Sequence, residues 1–157
     1  MKSGDAPLRS PGMSESAFSY QHRVVYADCT LGNHVYYARY LEMLEAARSE
    51  FFRASGRTLL GWQERGFMFP VVEVQLHYKA LARYDDLLRA EVWVMAAEKV
   101  RLNFAYRITN QSNDLVLEGE TMHVCMNLEE KLKRLPEELV VALKPYLRPR
   151  PIAITKR

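Results

Sequence analysis

Apolar and polar residues alternate over successive stretches of the chain, with the two-residue period of half-buried β-strands. The first stretch sets Phe18, Tyr20, His22, Val24 and Tyr26 on one side and Ser19, Gln21 and Arg23 on the other. Three more follow later in the chain. Val72, Val74, Leu76 and Tyr78 alternate with Glu73, Gln75 and His77; Leu88, Ala90, Val92 and Val94 with Arg89, Glu91 and Trp93; Val100, Leu102, Phe104, Tyr106 and Ile108 with Arg101, Asn103 and Arg107. A fifth strand is predicted over 115–126, after the turn-forming cluster Asn110, Ser112, Asn113 and Asp114.

Between the first strand and the second the period changes. At about 100° per residue, Tyr40, Leu41, Leu44, Ala47, Phe51 and Phe52 fall within about 80° of Tyr37, and Glu42, Ala46, Ser49, Glu50 and Arg53 fall opposite. This is an amphipathic helix stopped near Gly56. A short helical piece is predicted around 59–65, and Pro136, Glu137 and Glu138 open a last helix ended by Pro145. One strand, one long helix and four further strands make an α+β chain: a five-stranded antiparallel sheet burying one face on a single helix. A sheet covered this way keeps open edges, which predicts pairing with further copies of the chain.

With 48% hydrophobic and 26% charged residues, the 157-residue chain is expected to hold one domain, and collagenous, disulfide-scaffold and wholly disordered classes are excluded. The expected divisions are a mobile leader at 1–15, rich in Ser, Gly and Pro, the domain at 16–148, and a flexible basic tail at 149–157. No apolar run reaches the roughly 18 to 20 residues of a membrane span, and the first residues lack the apolar centre of a secretory signal, so a cytoplasmic location is expected. Cys29 and Cys125 have no CxxC partner, and they are expected to be plain thiols. The 22 Lys and Arg scattered among 19 Asp and Glu make no electrostatic footprint for nucleic acid. His77 and His123 have strand spacing without metal-ligand grouping, and no phosphate-cradling glycine motif occurs, so neither metal nor cofactor is expected.

Candidate chemistry concentrates where the first strand meets the helix, in Tyr26-Ala27-Asp28-Cys29-Thr30-Leu31-Gly32-Asn33-His34-Val35-Tyr36-Tyr37. A carboxylate, thiol, hydroxyl, amide and imidazole precede a helix N-terminus, whose unpaired N–H groups can polarise a carbonyl or hold an oxyanion. The tyrosines offer a wall to an apolar acyl or aromatic group.

Tyr26-Ala27-Asp28, Gly32-Asn33-His34-Val35-Tyr36-Tyr37, Tyr40 and Leu44-Glu45-Ala46-Ala47-Arg48 together resemble the signature of hotdog-fold acyl-CoA thioesterases of the 4-hydroxybenzoyl-CoA thioesterase type. The resemblance continues through Phe69-Pro70-Val71-Val72-Glu73 with Tyr78, Ala82-Arg83-Tyr84-Asp85-Asp86 and Glu118-Gly119-Glu120-Thr121. It implies a sheet wrapped around one long central helix, hydrolysis of an acyl-CoA or acyl-carrier-protein thioester, and a homodimer or homotetramer. It also implies a carbonyl-polarising backbone N–H at Tyr37. The family's usual aspartate, two residues after the position of Asp28, is here Thr30. The alternative is therefore a binding module that has lost turnover.

The candidates for the missing role each have a structural counterpart. Asp28 can serve the chemistry or accept loop N–H bonds. His34 can be a base or a packing residue, and it is similar in place to the histidine of plant acyl-carrier-protein thioesterases. Asn33 can offer its amide to the carbonyl or cap the helix. Arg48 stands inside the apolar face, where its charge needs a partner: Glu73 or Asp28 in an ion pair, or the substrate, as in the similar enediyne-polyketide branch that also lacks the acidic residue. Glu45 lies at the helix position where a second hotdog branch keeps its catalytic glutamate. Tyr37, His34, Asp28, Thr30 and Arg48 are thus the catalytic candidates, and Asn33, Tyr36, Tyr40 and Glu45 the substrate-binding ones, with the N–H groups of Tyr36 and Tyr37 as the oxyanion donors.

Overall fold

A computed structural model describes residues 17–148; the expected leader and tail lie outside the described residues. The elements follow the expected order: β1 (Phe18–Arg23), α1 (Arg39–Ala54), α2 (Leu59–Glu64), β2 (Val71–Tyr78), β3 (Leu87–Glu98), β4 (Arg101–Thr109), β5 (Leu115–Val124) and α3 (Glu137–Leu143). The strands form one antiparallel sheet in the order β1-β3-β4-β5-β2, so β1 and β2 are its edges. Curled around α1, this sheet is a hotdog fold.

Alternation fixes which side chains meet the helix. Register pairs Val92 with Tyr106, Val94 with Phe104, Tyr106 with Gly119 and Phe104 with Thr121, so these share the inner face. Against that face α1 buries Tyr40, Met43, Leu44, Ala47, Phe51 and Phe52. Phe51 is pinned by ring contacts to Phe18, Phe104 and Tyr146, with centroids 5.7, 5.6 and 4.8 Å away. Each such fully buried side chain contributes roughly 1.5–3 kcal/mol.

The buried stripe is rotated from the expected one. Tyr37 lies in the turn ahead of the helix and is 62% exposed, Leu41 is 43% exposed, and Met43 is buried instead. The reason is lateral placement: α1 packs over β1 and β3, on one half of the sheet, so the core-facing side turns that way. Two other boundaries move. β1 ends at Arg23, because a short 3-10 turn at Tyr26–Asp28 turns the chain and leaves Tyr26 exposed, and β5 ends at Val124.

That lateral placement exposes β2. Val74 and Tyr78, opposite the inner-face residues Thr121 and Leu117, remain exposed, as does Val72 at a bulge between Val71 and Glu73. Two contacts fix the direction of the uncovered strand against the helix: Tyr40 meets Tyr78 at 5.6 Å between ring centroids, and Phe52 stacks on Phe69, also at 5.6 Å. β2 therefore runs antiparallel to α1. The exposed Leu41 and Glu45 and the half-buried Arg48 on one flank of α1, and the exposed Val74 and Tyr78 of β2, border an open strip between helix and strand, the trench. Gly119 lets the two last strands of the sheet approach beside it, since a Cβ there would stand 2.5 Å from the Gln75 carbonyl oxygen.

Candidate active site

The mouth of α1 offers one free amide of the two expected. The Tyr36 N–H donates to the Asp28 carbonyl oxygen at 2.9 Å, so it is not available to an oxyanion. The Tyr37 N–H has no acceptor among the described residues, and no side chain caps the helix at Ala38. Unpaired N–H groups at such a terminus carry partial positive charge. The Tyr37 carbonyl oxygen is also fixed, accepting from the Tyr78 hydroxyl at 2.9 Å. The Tyr36 and Tyr37 rings lie 4.7 Å apart, both exposed, while Tyr40 is buried against Tyr78.

Ahead of the mouth, the chain reverses in a tight loop. Cys29 bridges Val35, the Thr30 N–H donates to the His34 carbonyl oxygen at 2.9 Å, and Asn33 takes a left-handed backbone, φ 53°. This reversal carries the His34 ring back over Gly32 to Thr30, whose Oγ1 lies 3.3 Å from Nε2. The replacement hydroxyl, which has no evident base in the linear sequence, thus has an imidazole beside it. His34 Nδ1 lies 3.4 Å from the Val35 carbonyl oxygen, which can only accept; with the proton on Nδ1, Nε2 is the bare, basic nitrogen. The Thr30 hydroxyl has a second acceptor, the His34 carbonyl oxygen at 3.4 Å. An open hollow of about 770 Å³, lined by Tyr26, Cys29, Thr30, Leu31, Asn33 and Tyr84, adjoins the pair.

Asp28 and Asn33 are engaged in holding this loop. Asp28 Oδ2 accepts from His22 Nε2 at 2.8 Å and from the Val25 N–H at 2.9 Å, the loop-bonding arrangement. Asn33 does not cap α1, which starts six residues later: its Oδ1 accepts from the Tyr84 N–H at 3.3 Å and its carbonyl oxygen from Arg83 at the same distance. Both free cysteines are thiols; burial pushes Cys125 up to about 11 and also raises Cys29, so neither is an activated nucleophile.

Arg48 forms neither of the expected ion pairs. Asp28 is paired with His22, Glu73 Oε1 accepts from Gln75, and Arg48 Nη1 donates to the Tyr106 hydroxyl at 3.0 Å. Glu45 is exposed on the same helix flank. At about 1.5 Å per residue, the eleven residues from Tyr37 to Arg48 separate them by roughly 16 Å along the chain. One copy therefore does not bring these two groups onto one atom. Tyr78 and Thr121, which stand in the runs that carry the resemblance, complete the surroundings with Tyr106 and His123, which escape a reading of motifs. The only signal of Tyr106 and His123 is polarity at inner-face positions of otherwise apolar strands.

A family model described as the Thioesterase-like superfamily matches residues 24–143. Acyl-CoA thioester hydrolase YbgC of Escherichia coli O6:H1 is 32% identical over 133 residues, 84% of this chain and 99% of that protein. Acyl-CoA thioesterase YbgC of Haemophilus influenzae is 34% identical over 135 residues, 83% of this chain and 96% of its own. Among solved structures, Slr0204, a 1,4-dihydroxy-2-naphthoyl-CoA thioesterase from Synechocystis, superposes with a TM-score of 0.76 at 26% identity, covering 82% of this chain and 96% of that one. The match takes in the loop, the whole of α1 and all of β2 to β5, and the chain belongs to the Thioesterase-like superfamily.

Proposed function

We infer that this chain is an acyl-CoA thioesterase that cleaves an acyl thioester to the free acid and coenzyme A. Its relatives over most of its length carry that activity in their names. The observation that carries the mechanism is the pairing of Thr30 with His34 at 3.3 Å, ahead of a helix mouth whose Tyr37 N–H is unpaired.

In the proposed reaction the Thr30 hydroxyl turns to its second acceptor, leaving His34 Nε2 to take a proton from water that Thr30 helps to hold. The oxygen attacks the thioester carbonyl carbon, and the carbonyl oxygen gathers negative charge against the Tyr37 N–H. When the tetrahedral intermediate collapses, the carbon–sulfur bond breaks and the thiolate takes the proton back from the His34 imidazolium. Asp28 and Asn33 hold the loop, Tyr36, Tyr37 and Tyr40 wall the acyl group, and Arg48 and Glu45 line the trench.

A second copy completes this site. Edge-to-edge pairing of β2 would give each apolar inner face a neighbour and satisfy the strand's free backbone groups. Two-fold antiparallel pairing sets the Tyr78 end of one β2 beside the Val71 end of the other. Because β2 runs antiparallel to α1, the helix mouth of one copy then faces the later turns of the second copy's helix, where Arg48 stands. The acyl chain lies between the copies. A cytoplasmic location fits two unpaired thiols.

The test is thiol release from short, long and aromatic acyl-CoAs. The wild type is expected to turn over at least one of them well above a Thr30→Ala, His34→Ala double variant. Equal rates for the two proteins would remove the pair from the mechanism, and saturable acyl-CoA binding without thiol release would indicate a binding module.

A further inference from the structure

Beneath the trench runs a continuous file of polar side chains inside an apolar core. Arg48 Nη1 is 3.0 Å from the Tyr106 hydroxyl, that hydroxyl 2.7 Å from Thr121 Oγ1, Thr121 Oγ1 2.8 Å from His123 Nε2, and His123 Nδ1 2.9 Å from the Phe69 carbonyl oxygen. Tyr106 is 0%, Thr121 1% and His123 3% exposed. Four elements contribute: α1, β4, β5 and the residue that leads into β2.

The direction of every proton in the file follows from its two ends. The Phe69 carbonyl can only accept, so His123 carries hydrogen on Nδ1. Burial, with Arg48 adding repulsion, lowers the His123 pKa to about 4, so the ring is neutral near pH 7 and Nε2 is an acceptor. Thr121 must then donate to Nε2 and accept from Tyr106. Tyr106 in turn has its hydrogen committed to Thr121 and its lone pair turned to Arg48, whose guanidinium can only donate. All bonds point one way, each donor polarising the next, which leaves Arg48 one fixed, electron-rich acceptor.

Such a device is costly for packing alone. Apolar side chains in these strand positions would fill the core without desolvating three polar groups. What the file accomplishes is to hold a half-buried cation that no carboxylate among the described residues neutralises, on the helix flank that borders the open trench. A guanidinium so placed keeps its remaining N–H groups and its charge for a bound ligand. We propose that Tyr106, Thr121 and His123 are positioning residues that orient the Arg48 guanidinium toward the carbonyl oxygen of a thioester held at the helix mouth of the paired copy. This rests on the thioesterase reading above. Arg48 is the group that touches substrate, and the three buried residues act only through it.

The experiment is a double-mutant cycle on thiol release from the best acyl-CoA substrate, with thermal stability followed separately. Tyr106→Phe and Thr121→Val, which remove hydroxyls without removing volume, are each expected to lower kcat by about tenfold while moving KM less than about twofold, the pattern of an interaction made in the transition state. Thr121→Ser restores a hydroxyl and is expected to recover most of the rate. In an Arg48→Ala background, Tyr106→Phe is expected to cost no further rate, although it still lowers stability. Equal rate losses in both backgrounds, or wild-type kcat in folded Thr121→Val, would overturn the proposal and leave the thioesterase reading intact. A wild type that hydrolyses no acyl-CoA would instead defeat both. An independent readout needs no turnover: ¹⁵N shifts of His123 are expected to show the Nδ1-protonated tautomer, and the opposite tautomer would contradict the assigned direction.

Discussion

The Tyr78 hydroxyl donates to the Tyr37 carbonyl oxygen across 2.9 Å, tying the turn ahead of α1 to the open edge strand. The residue whose amide is to meet the oxyanion is thus held by the strand at which a second copy is to dock. Tyr78→Phe deletes that bond and keeps the ring against Tyr40. Because the site is partly exposed, the expected loss of stability is about 1 kcal/mol or less. The expected fall in kcat is larger in proportion, about tenfold, because the amide is no longer aimed. Steady-state kinetics beside thermal unfolding separate the two effects.

Gly32 sets the place of the His34 ring. A Cβ at this position would stand 3.0 Å from Cδ2 and 3.1 Å from Nε2 of that ring, closer than ordinary van der Waals contact, so the imidazole must shift. Gly32 is exposed and its φ is not in the left-handed range, so Gly32→Ala is expected to leave stability within about 0.5 kcal/mol. The rate is expected to fall about tenfold as Nε2 leaves Thr30. An unchanged kcat in Gly32→Ala would mean that the placement of the ring is unimportant.

The buried histidine gives a dependence of stability on pH. His123 has a folded pKa lowered from 6.5 to about 4, mainly by burial, with the Phe69 carbonyl opposing and the Arg48 charge assisting. Between these values the unfolded chain binds the proton that the folded chain refuses, so its contribution is fully present above about pH 6.5 and is lost as pH falls toward about 4. The full loss is on the order of 3 kcal/mol. Urea titrations from pH 7.5 to pH 4 should show it, and Thr121→Val, which takes away the partner of Nε2, should change its size.

Gly119 lies where the edge strand packs tightly against its neighbour. A Cβ there would lie 2.5 Å from both the Gln75 carbonyl oxygen and Leu76 Cδ2, and backbone cannot yield as a side-chain end can. Gly119→Ala is expected to loosen β2 from β5, costing roughly 2 kcal/mol or more. Hydrogen exchange along β2 should rise first, and assembly of copies through that strand should weaken with it.

Much of the fold was legible because its residues obey single periods. The alternation of Val72, Val74, Leu76 and Tyr78 identified β2 correctly, yet it also foretold burial that one chain does not supply. That mismatch reflects a sheet only half covered by α1. The same off-centre packing explains why Met43 is buried and Leu41 is not: a helical wheel locates an apolar stripe but not the neighbour toward which it turns.

The site was legible as a cluster and not as a geometry. Thr30 and His34 are four residues apart in sequence, but their contact depends on the left-handed backbone at Asn33 and the bare space over Gly32. The amide of Tyr36 is lost to Asp28 through a pairing that no residue type announces. Arg48 signalled its need for a partner by standing near the apolar face; that the partner is a tyrosine 58 residues away depends on which strand lies beneath the helix.

The most direct measurement is a crystal structure with an acyl-CoA analogue in which a methylene replaces the thioester sulfur, so that the carbonyl stays and hydrolysis stops. The carbonyl oxygen is predicted to lie about 3 Å from the Tyr37 backbone nitrogen, with the Thr30 and His34 pair on the side from which water attacks. A carbonyl bound away from the mouth of α1, or a Tyr37 N–H turned to a protein acceptor in that complex, would contradict it.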